Sequence, residues 1–429
     1  MPNIKLSNEV KMFKPIDFLK NRSLMFAFKI LGKFIKTYEP ELFTGEQAAL
    51  TLAEKISQAK YKKLLIMTTS GIKRRGQLDS VIEQLKNDGV SVFVFDDINP
   101  DPTFADVSKA LEHGLSNQFD AVLAVGGGSV IDAAKVVAMA ATNGNTPEKL
   151  VGIMKGKQKP LPFYAIPTTS GTGSEVTIAS VVSEKESHRK RFVVDPNLVP
   201  KAAALDPVLL ATMPPAITAM TGMDALTHAV EAYLSRNASR KTDRYAIEAI
   251  KHIFESLPVA FEDGKNFQAR EAMALASHQA GIAFTNASLG YVHAISHQLG
   301  GIYGVSHGLG NAILLPKVLK ASLPNITNQL AELAKELNIG MSDMTDEERA
   351  AAFIDSIEEL NARLNIPSVV HELQKEDISR IAGTAYEEAI SSYAVPKFMS
   401  TQDIEAILLD ILSGLKARRF LPNLSSSVG

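Results

Sequence analysis

Asp120-Ala-Val-Leu-Ala-Val-Gly-Gly-Gly-Ser-Val-Ile-Asp-Ala-Ala-Lys135 is the stretch whose reading decides the fold. Its unbroken apolar run from Ala121 to Val125 reads as a strand buried on both faces, and it runs straight into a glycine turn and a helix reaching about Thr142. The same alternation extends on both sides. Lys63 to Thr69 and Ser91 to Phe95 read as strands, Arg75 to Asp88 and Phe104 to Ser116 as amphipathic helices, and Pro162 to Ile166 as a further strand. Shorter strand-like pieces follow at 176–182, 191–194 and 202–205. Strands alternating with helices predict a parallel sheet covered on both faces, an α/β domain of Rossmann-like character.

After Met213-Pro-Pro215 the character changes, and residues 216 to 415 show helical spacing with almost no β-rich runs. A boundary is therefore expected near Thr212. It gives an N-terminal extension over 1–40, expected to be helical, an α/β domain over 41–212 and an all-helical domain over 213–429. The tail from Leu424 to Gly429 is expected to fray.

Composition narrows the function. With 429 residues, 45 Lys+Arg and 47 Asp+Glu, the net charge of −2 argues against a nucleic-acid binder that relies on bulk positive charge. Zero cysteine excludes thiolate zinc sites, Fe–S clusters, disulfide scaffolds and Cys nucleophiles, so any metal must sit on His and carboxylate. The most apolar stretch, Leu24 to Ile35, is broken by Lys29 and Lys33 and is too short to span a bilayer. The segment from Lys14 to Lys36 alternates bases with large apolar residues. It reads as a helix packed on the body or on a partner subunit, with a membrane-surface helix as the alternative. The expected location is the cytoplasm.

Two loops carry candidate binding chemistry. Gly127, Gly128 and Ser129 stand where a parallel strand gives way to a helix, so a phosphate can approach the backbone and meet the helix N-terminus. A tight turn without any ligand is the alternative. Pro167-Thr-Thr-Ser-Gly-Thr-Gly-Ser174 follows the next strand, and two polar loops at one sheet edge suit an extended ligand such as a dinucleotide.

The histidines carry candidate metal chemistry. Asp224 and His228 are four apart within a helical stretch, and His293 and His297 repeat that spacing. His307 follows in what reads as a glycine-rich turn, Gly304 to Gly310. Nitrogen and carboxylate donors suit Zn²⁺ or Fe²⁺ with a position left for substrate. Spacing leaves open which of these five residues are ligands. His113, His188, His252, His278 and His371 lack such partners and read as solvated or structural.

These motifs, taken in order from Gly126-Gly-Gly-Ser129 through Pro167-Thr-Thr-Ser-Gly-Thr-Gly-Ser-Glu-Val176 and Gly222-Met-Asp-Ala-Leu-Thr-His228 to His293-Ala-Ile-Ser-His297 and His307-Gly308, resemble the iron-containing (group III) alcohol dehydrogenases. The resemblance runs from about Phe43 to the early 400s. It implies a dinucleotide-binding α/β domain and an all-α metal-binding domain, the architecture of dehydroquinate synthase. By position it implies Asp224, His228, His293 and His307 as metal ligands and His297 as the catalytic histidine beside them. Thr69, Gly127, Gly128, Ser129, Thr168, Thr169, Thr172 and Lys190 fall at cofactor-binding positions, and Phe284 and Ala179 at substrate-pocket positions.

Departures from the family pattern sharpen the expectation. Thr69 stands where many NAD-using members carry Asp. Without that carboxylate a 2′-phosphate is not repelled, and Lys73, Arg74 and Arg75 lie just beyond, so the cofactor is NAD or NADP with a lean to NADP. Asp101-Pro-Thr103 replaces the common Asn-Pro-Thr. Ala179 replaces the Asn of the small-diol and lactaldehyde enzymes, which points to a more apolar alcohol. The expected metal is Fe²⁺, with Zn²⁺ as the alternative. The expected activity is hydride transfer between an alcohol and an aldehyde or ketone. The rivals are a dehydroquinate synthase-like lyase, disfavoured by the few bases between Ala225 and Gly310, and a non-catalytic nucleotide-binding protein. The expected partners are a small alcohol or aldehyde and further copies of the chain, as a homodimer or higher homo-oligomer, with no nucleic acid and no integral membrane contact.

Overall fold

The computed structural model describes residues 39–184 and 190–412. The expected helix over Lys14–Lys36, the frayed tail and His188 lie outside the described residues. The chain divides into two compact units, one drawn from 39–184, 190–233 and 239–287, the other from 234–238 and 288–412.

The first unit runs in order through β1 (Glu41–Thr44), α1 (Ala48–Gln58), β2 (Lys63–Met67), α2 (Ser70–Arg74), α3 (Asp79–Asn87), β3 (Ser91–Phe95), α4 (Phe104–Ser116), β4 (Ala121–Gly126) and α5 (Gly128–Ala140). It continues through β5 (Gly152–Ile153), β6 (Phe163–Pro167), β7 (Ala179–Ser183), β8 (Lys190–Val194), β9 (Ala202–Leu205), α6 (Pro207–Leu210), α7 (Pro215–Leu234), α8 (Arg240–Glu262) and α9 (Phe267–Ala287). Six strands form one sheet in the order β1-β9-β6-β4-β2-β3, parallel throughout. β5, β8 and β7 make a small second sheet, in which β5 and β8 are parallel and β8 and β7 antiparallel.

Both faces of the large sheet are buried, as the apolar strands require. Leu64 and Ile66 of β2 pack on one side with α1 and α3, whereas Leu65 and Met67 pack on the other with α4 and α5. Thr103 starts α4 with a capping box in which its hydroxyl and the Asp106 carboxylate satisfy each other's backbone N–H.

Three expectations are corrected. The helix expected over Arg75–Asp88 breaks at Gly76, whose φ of 69° ends α2, and α3 restarts only at Asp79. β1 escaped the sequence reading because Glu-Leu-Phe-Thr is a short edge strand with one neighbour and no long apolar run. His307 is not held in a turn. It is the first residue of a long helix, and only residues 304–306 are non-helical there.

Strands end at Leu205, but packing does not divide the chain there. α8 and α9 belong to the sheet-containing unit because α9 packs on β9, α6 and the loop that follows β6. Arg270 of α9, only 1% exposed, donates to Thr218 Oγ1 at 2.7 Å, Met213 O at 2.9 Å and Gly264 O at 3.0 Å, which ties α7 to α9.

The second unit contains α10 (Tyr291–Tyr303), α11 (His307–Glu336), α12 (Asp346–Arg363), α13 (Ile378–Ser392) and α14 (Thr401–Asp410). Gly304, with φ 70°, closes α10 and frees the chain to start α11 three residues later. α10 packs on both α11 and α13, which brings residues far apart in sequence onto the histidine-bearing face. No helix among the described residues is long and apolar enough to cross a membrane.

Candidate metal centre and cofactor loops

α7 presents Asp224 and His228 one turn apart, both buried, with Asp224 Oδ1 3.8 Å from His228 Nε2. His228 Nδ1 lies 3.2 Å from the carbonyl oxygen of Gly171. A carbonyl only accepts, so Nδ1 carries the proton and Nε2 keeps its lone pair. Phe284 of α9 stacks on the same imidazole, with centroids 4.4 Å apart and planes 25° from parallel, and so fixes the ring's orientation.

In the helical unit, α10 carries His293 and His297 and α11 opens with His307. The His293 and His307 rings are 5.2 Å apart, and His297 stacks on His307 at 5.3 Å and 16°. Asn311, one turn beyond His307, directs its amide nitrogen to Nε2 of His293 at 3.2 Å and Nε2 of His307 at 3.3 Å. An amide N–H only donates, so each Nε2 is unprotonated, the state that metal ligation requires, and the amide meets the lone pairs that an ion would take. Among the described residues, Asp224, His228, His293 and His307 offer ligand atoms that all lie within 4.8 Å of one another. One carboxylate and three imidazoles fit a single divalent ion of the iron or zinc type.

The remaining histidines divide by surroundings. His278 is buried with Nδ1 3.2 Å from Glu175 Oε1, and His113 packs against the Phe95 ring at 5.8 Å.

The cofactor candidates gather at the ends of β2, β4 and β6. Gly127 precedes α5 with no side-chain cap, which leaves the first N–H groups of that helix to a ligand. Packing places its own demand on the glycines, since a Cβ on Gly128 would stand 2.7 Å from Thr172 Cγ2. Thr168, Thr169 and Thr172 are half-buried, and Thr172 Oγ1 accepts from Ser174 N at 3.2 Å.

Gly173 has φ 57°, and a Cβ there would stand 2.8 Å from Gly281 Cα and from Ser277 O of α9. Gly173→Ala is expected to lower stability by about 2–4 kcal/mol, combining left-handed strain with a backbone clash. A denaturation midpoint equal to wild type would contradict that packing.

Thr69 caps α2 by accepting from Ile72 N at 3.4 Å. Lys73, one of the three bases expected near a 2′-phosphate, pairs with Asp96 at 3.1 Å, and Arg75 Nε donates to Gln77 Oε1 at 3.0 Å. Lys190 pairs with the Asp101 carboxylate, which also accepts from Ser183 Oγ at 2.6 Å. Asp101 N–H reaches Ser129 Oγ at 3.3 Å. The Asn-to-Asp departure at 101 thus gives Lys190 a counter-charge beside the glycine loop.

Lys135 and Asp132, within the glycine motif, take a structural role. Lys135 is fully buried and donates to Thr177 O at 2.9 Å, Thr177 Oγ1 at 2.7 Å and Ala179 O at 2.8 Å. Asp132 accepts from Ser174 Oγ and, at 2.8 Å, from Val181 N. Together they fasten α5 to the threonine loop and to β7, where Ala179 is half-buried. Burial pushes the Lys135 ammonium down to about 8 against the opposing carboxylates of Asp132 and Glu175, and it pushes the Asp132 carboxyl up.

Residues 40–207 match the profile of iron-containing alcohol dehydrogenases, and 218–412 match the C-terminal profile of the Fe-containing alcohol dehydrogenase family. The chain belongs to the iron-containing alcohol dehydrogenase family, and it is a metal-dependent oxidoreductase of alcohols and aldehydes. Alcohol dehydrogenase 4 of Saccharomyces cerevisiae is 40% identical over 354 residues, covering 82% of this chain and 91% of that protein. The NAD-dependent methanol dehydrogenase of Bacillus methanolicus is 35% identical over 375 residues, covering 87% of this chain and 98% of the relative. The solved alcohol dehydrogenase of Oenococcus oeni superposes with a TM-score of 0.84 at 33% identity, covering 88% of this chain and 99% of that one.

Proposed function

We propose that Asp224, His228, His293 and His307 hold one divalent ion, iron ahead of zinc, and that the chain interconverts an alcohol and an aldehyde or ketone using NADPH or NADH. The observation that supports this reading is the grouping of one carboxylate and three imidazoles whose ligand atoms lie within 4.8 Å of one another. Bound there, the ion supplies a Lewis acid for the substrate oxygen, and the nicotinamide supplies the hydride chemistry.

The chain's own residues prepare that site. The Gly171 carbonyl sets the His228 tautomer and Phe284 holds its ring, while the Asn311 contacts require an unprotonated Nε2 on His293 and His307. The uncapped start of α5 and Thr168, Thr169 and Thr172 are proposed to bind the cofactor's pyrophosphate and flanking groups, with Lys190 held near them by Asp101. Phe284 and Ala179 are proposed to line the substrate pocket, with Ala179 favouring an apolar alcohol. The alternative of a lyase finds no counterpart among these relatives, whose names are those of alcohol and aldehyde oxidoreductases.

The cofactor preference is proposed to turn on Thr69. Lys73 is spent on Asp96, so the lean to NADPH rests on the missing carboxylate more than on added bases. Asp, like Thr, is a good N-cap, so Thr69→Asp keeps α2 while placing a negative charge where a 2′-phosphate would lie. It is expected to cut kcat/KM for NADPH by about tenfold or more and leave NADH turnover near wild type. An unchanged NADPH-to-NADH ratio would remove Thr69 from the specificity argument.

Steady-state aldehyde reduction with both cofactors tests the reading as a whole. Metal-dependent turnover of a simple aldehyde is expected, and no turnover of any aldehyde by metal-replete protein would overturn the proposed function.

A further inference from the structure

Beside the histidine-bearing face of the helical unit stands a carboxylate, Glu388, that the proposed metal site does not use. Glu388 projects from α13 toward α10, and its Oε1 lies 2.6 Å from His297 Nδ1. The same oxygen accepts from Tyr393 Oη at 2.7 Å, and Oε2 accepts from Gln298 Nε2 at 2.9 Å. Both partners of the dyad are mostly buried, with side chains 20% and 23% exposed. Three donors, two on α10 and one at the end of α13, therefore hold this carboxylate in one orientation.

That arrangement constrains His297. A carboxylate only accepts, so the 2.6 Å contact requires a proton on Nδ1 and leaves Nε2 as the ring's other polar atom. The ring itself stacks on His307 at 5.3 Å and meets His293 edge-on at 6.0 Å, which places it beside two of the proposed ligands.

We propose that Glu388 is a positioning residue: through its bond to Nδ1 it locks the tautomer and ring orientation of His297, so that Nε2 is presented as a hydrogen-bond acceptor to the hydroxyl of an alcohol substrate. The proposal rests on the reading of His293 and His307 as metal ligands with substrate beside them. Glu388 touches neither substrate nor cofactor and acts only through the imidazole. Carboxylate partners of this kind are the usual means of fixing a histidine's tautomer near a metal.

The test combines a spectroscopic and a kinetic arm on the full chain. Two-bond ¹H–¹⁵N correlation spectra of histidine-labelled protein, with His297 assigned by its loss in His297→Asn, report which ring nitrogen is protonated without requiring metal or turnover. Wild type is expected to show His297 protonated on Nδ1 and bare on Nε2, and Glu388→Leu is expected to release it toward the Nε2-protonated form. In metal-loaded protein, Glu388→Leu is expected to lower kcat roughly 10–100-fold with KM and metal content near wild type, and Glu388→Gln, which keeps an acceptor oxygen, to recover most of it. Adding Glu388→Leu to His297→Asn is expected to cost nothing further.

A bare Nδ1 on His297 in the wild-type spectrum overturns the proposal even if Glu388→Leu does not fold. Additive losses in the double variant overturn it as well. Should His297→Asn itself turn over normally, the reading of His297 at the substrate fails, and the wild-type spectrum still decides whether Glu388 fixes its tautomer.

Discussion

His293→Ala is expected to lose alcohol and aldehyde turnover by at least about a hundredfold, because Lewis-acid stabilisation worth several kcal/mol disappears with the ion. His293 is 1% exposed, so removing the imidazole leaves a cavity, while the buried Val292 and Ala294 on either side keep α10 packed. The loss should therefore appear in a correctly folded protein. Two accompanying readouts separate ligand loss from unfolding. Added Fe²⁺ or Zn²⁺ should raise the melting temperature of wild type, by the equivalent of about 2.7 kcal/mol at a hundredfold excess over Kd, and leave His293→Ala unmoved. His371→Ala, at an exposed histidine outside the site, should match wild type in every assay. Normal turnover by His293→Ala would remove this residue from the metal set.

The second large effect lies at Lys135. Its ammonium satisfies two carbonyls and a hydroxyl inside the protein and stands 3.9 Å from Asp132. Lys135→Met keeps the stem but leaves those acceptors unpaired and a buried carboxylate without its cation, which should cost about 3–5 kcal/mol. That is a large share of the roughly 5–15 kcal/mol that holds a typical domain folded. Since Thr177 and Ala179 are the groups released, the threonine loop and cofactor affinity should suffer before the rest of the sheet. A denaturation midpoint shift equivalent to less than about 1 kcal/mol would contradict the role assigned to the buried ammonium.

The same residue sets a pH signature. Folded Lys135 releases its proton near pH 8, whereas in the unfolded chain it does so near its ordinary 10.5. Between those values the unfolded chain holds more protons, so this group's contribution to stability rises with pH across the window, by up to about 3 kcal/mol. The difference between wild type and Lys135→Met, followed from pH 7 to 10, should grow in favour of wild type. A flat difference would show that the folded ammonium titrates as an ordinary lysine.

How legible these features were in the sequence follows from their physics. β2, β4 and β6 announced themselves because a parallel strand buried on both faces must be apolar throughout, and α4 because its capping residues and apolar spacing agree. β1 gave no such signal, being short, at the edge and half-buried. The break at Gly76 was hidden because a glycine within amphipathic spacing does not reveal its φ. Within the candidate site, Asp224–His228 and His293–His297 were visible because helical spacing is local. Asn311 obeys the same spacing from His307, but an amide carries no metal-ligand signal on its own. The Gly171 carbonyl that sets the His228 tautomer lies 57 residues from it, and Glu388 lies 91 from His297. No local pattern reaches that far. Lys135 was in plain view within the glycine motif, yet its part depends on loop carbonyls that only the folded backbone brings to it.

The proposed chemistry depends on one divalent ion held by Asp224, His228, His293 and His307. Equilibrium dialysis of purified metal-free protein against Fe²⁺ or Zn²⁺, followed by elemental analysis, tests it most directly when wild type is run beside Asp224→Ala and His293→Ala. About one tightly held ion per wild-type chain is expected, and at least about a hundredfold weaker binding in either variant. Wild-type stoichiometry and affinity in either variant would contradict it.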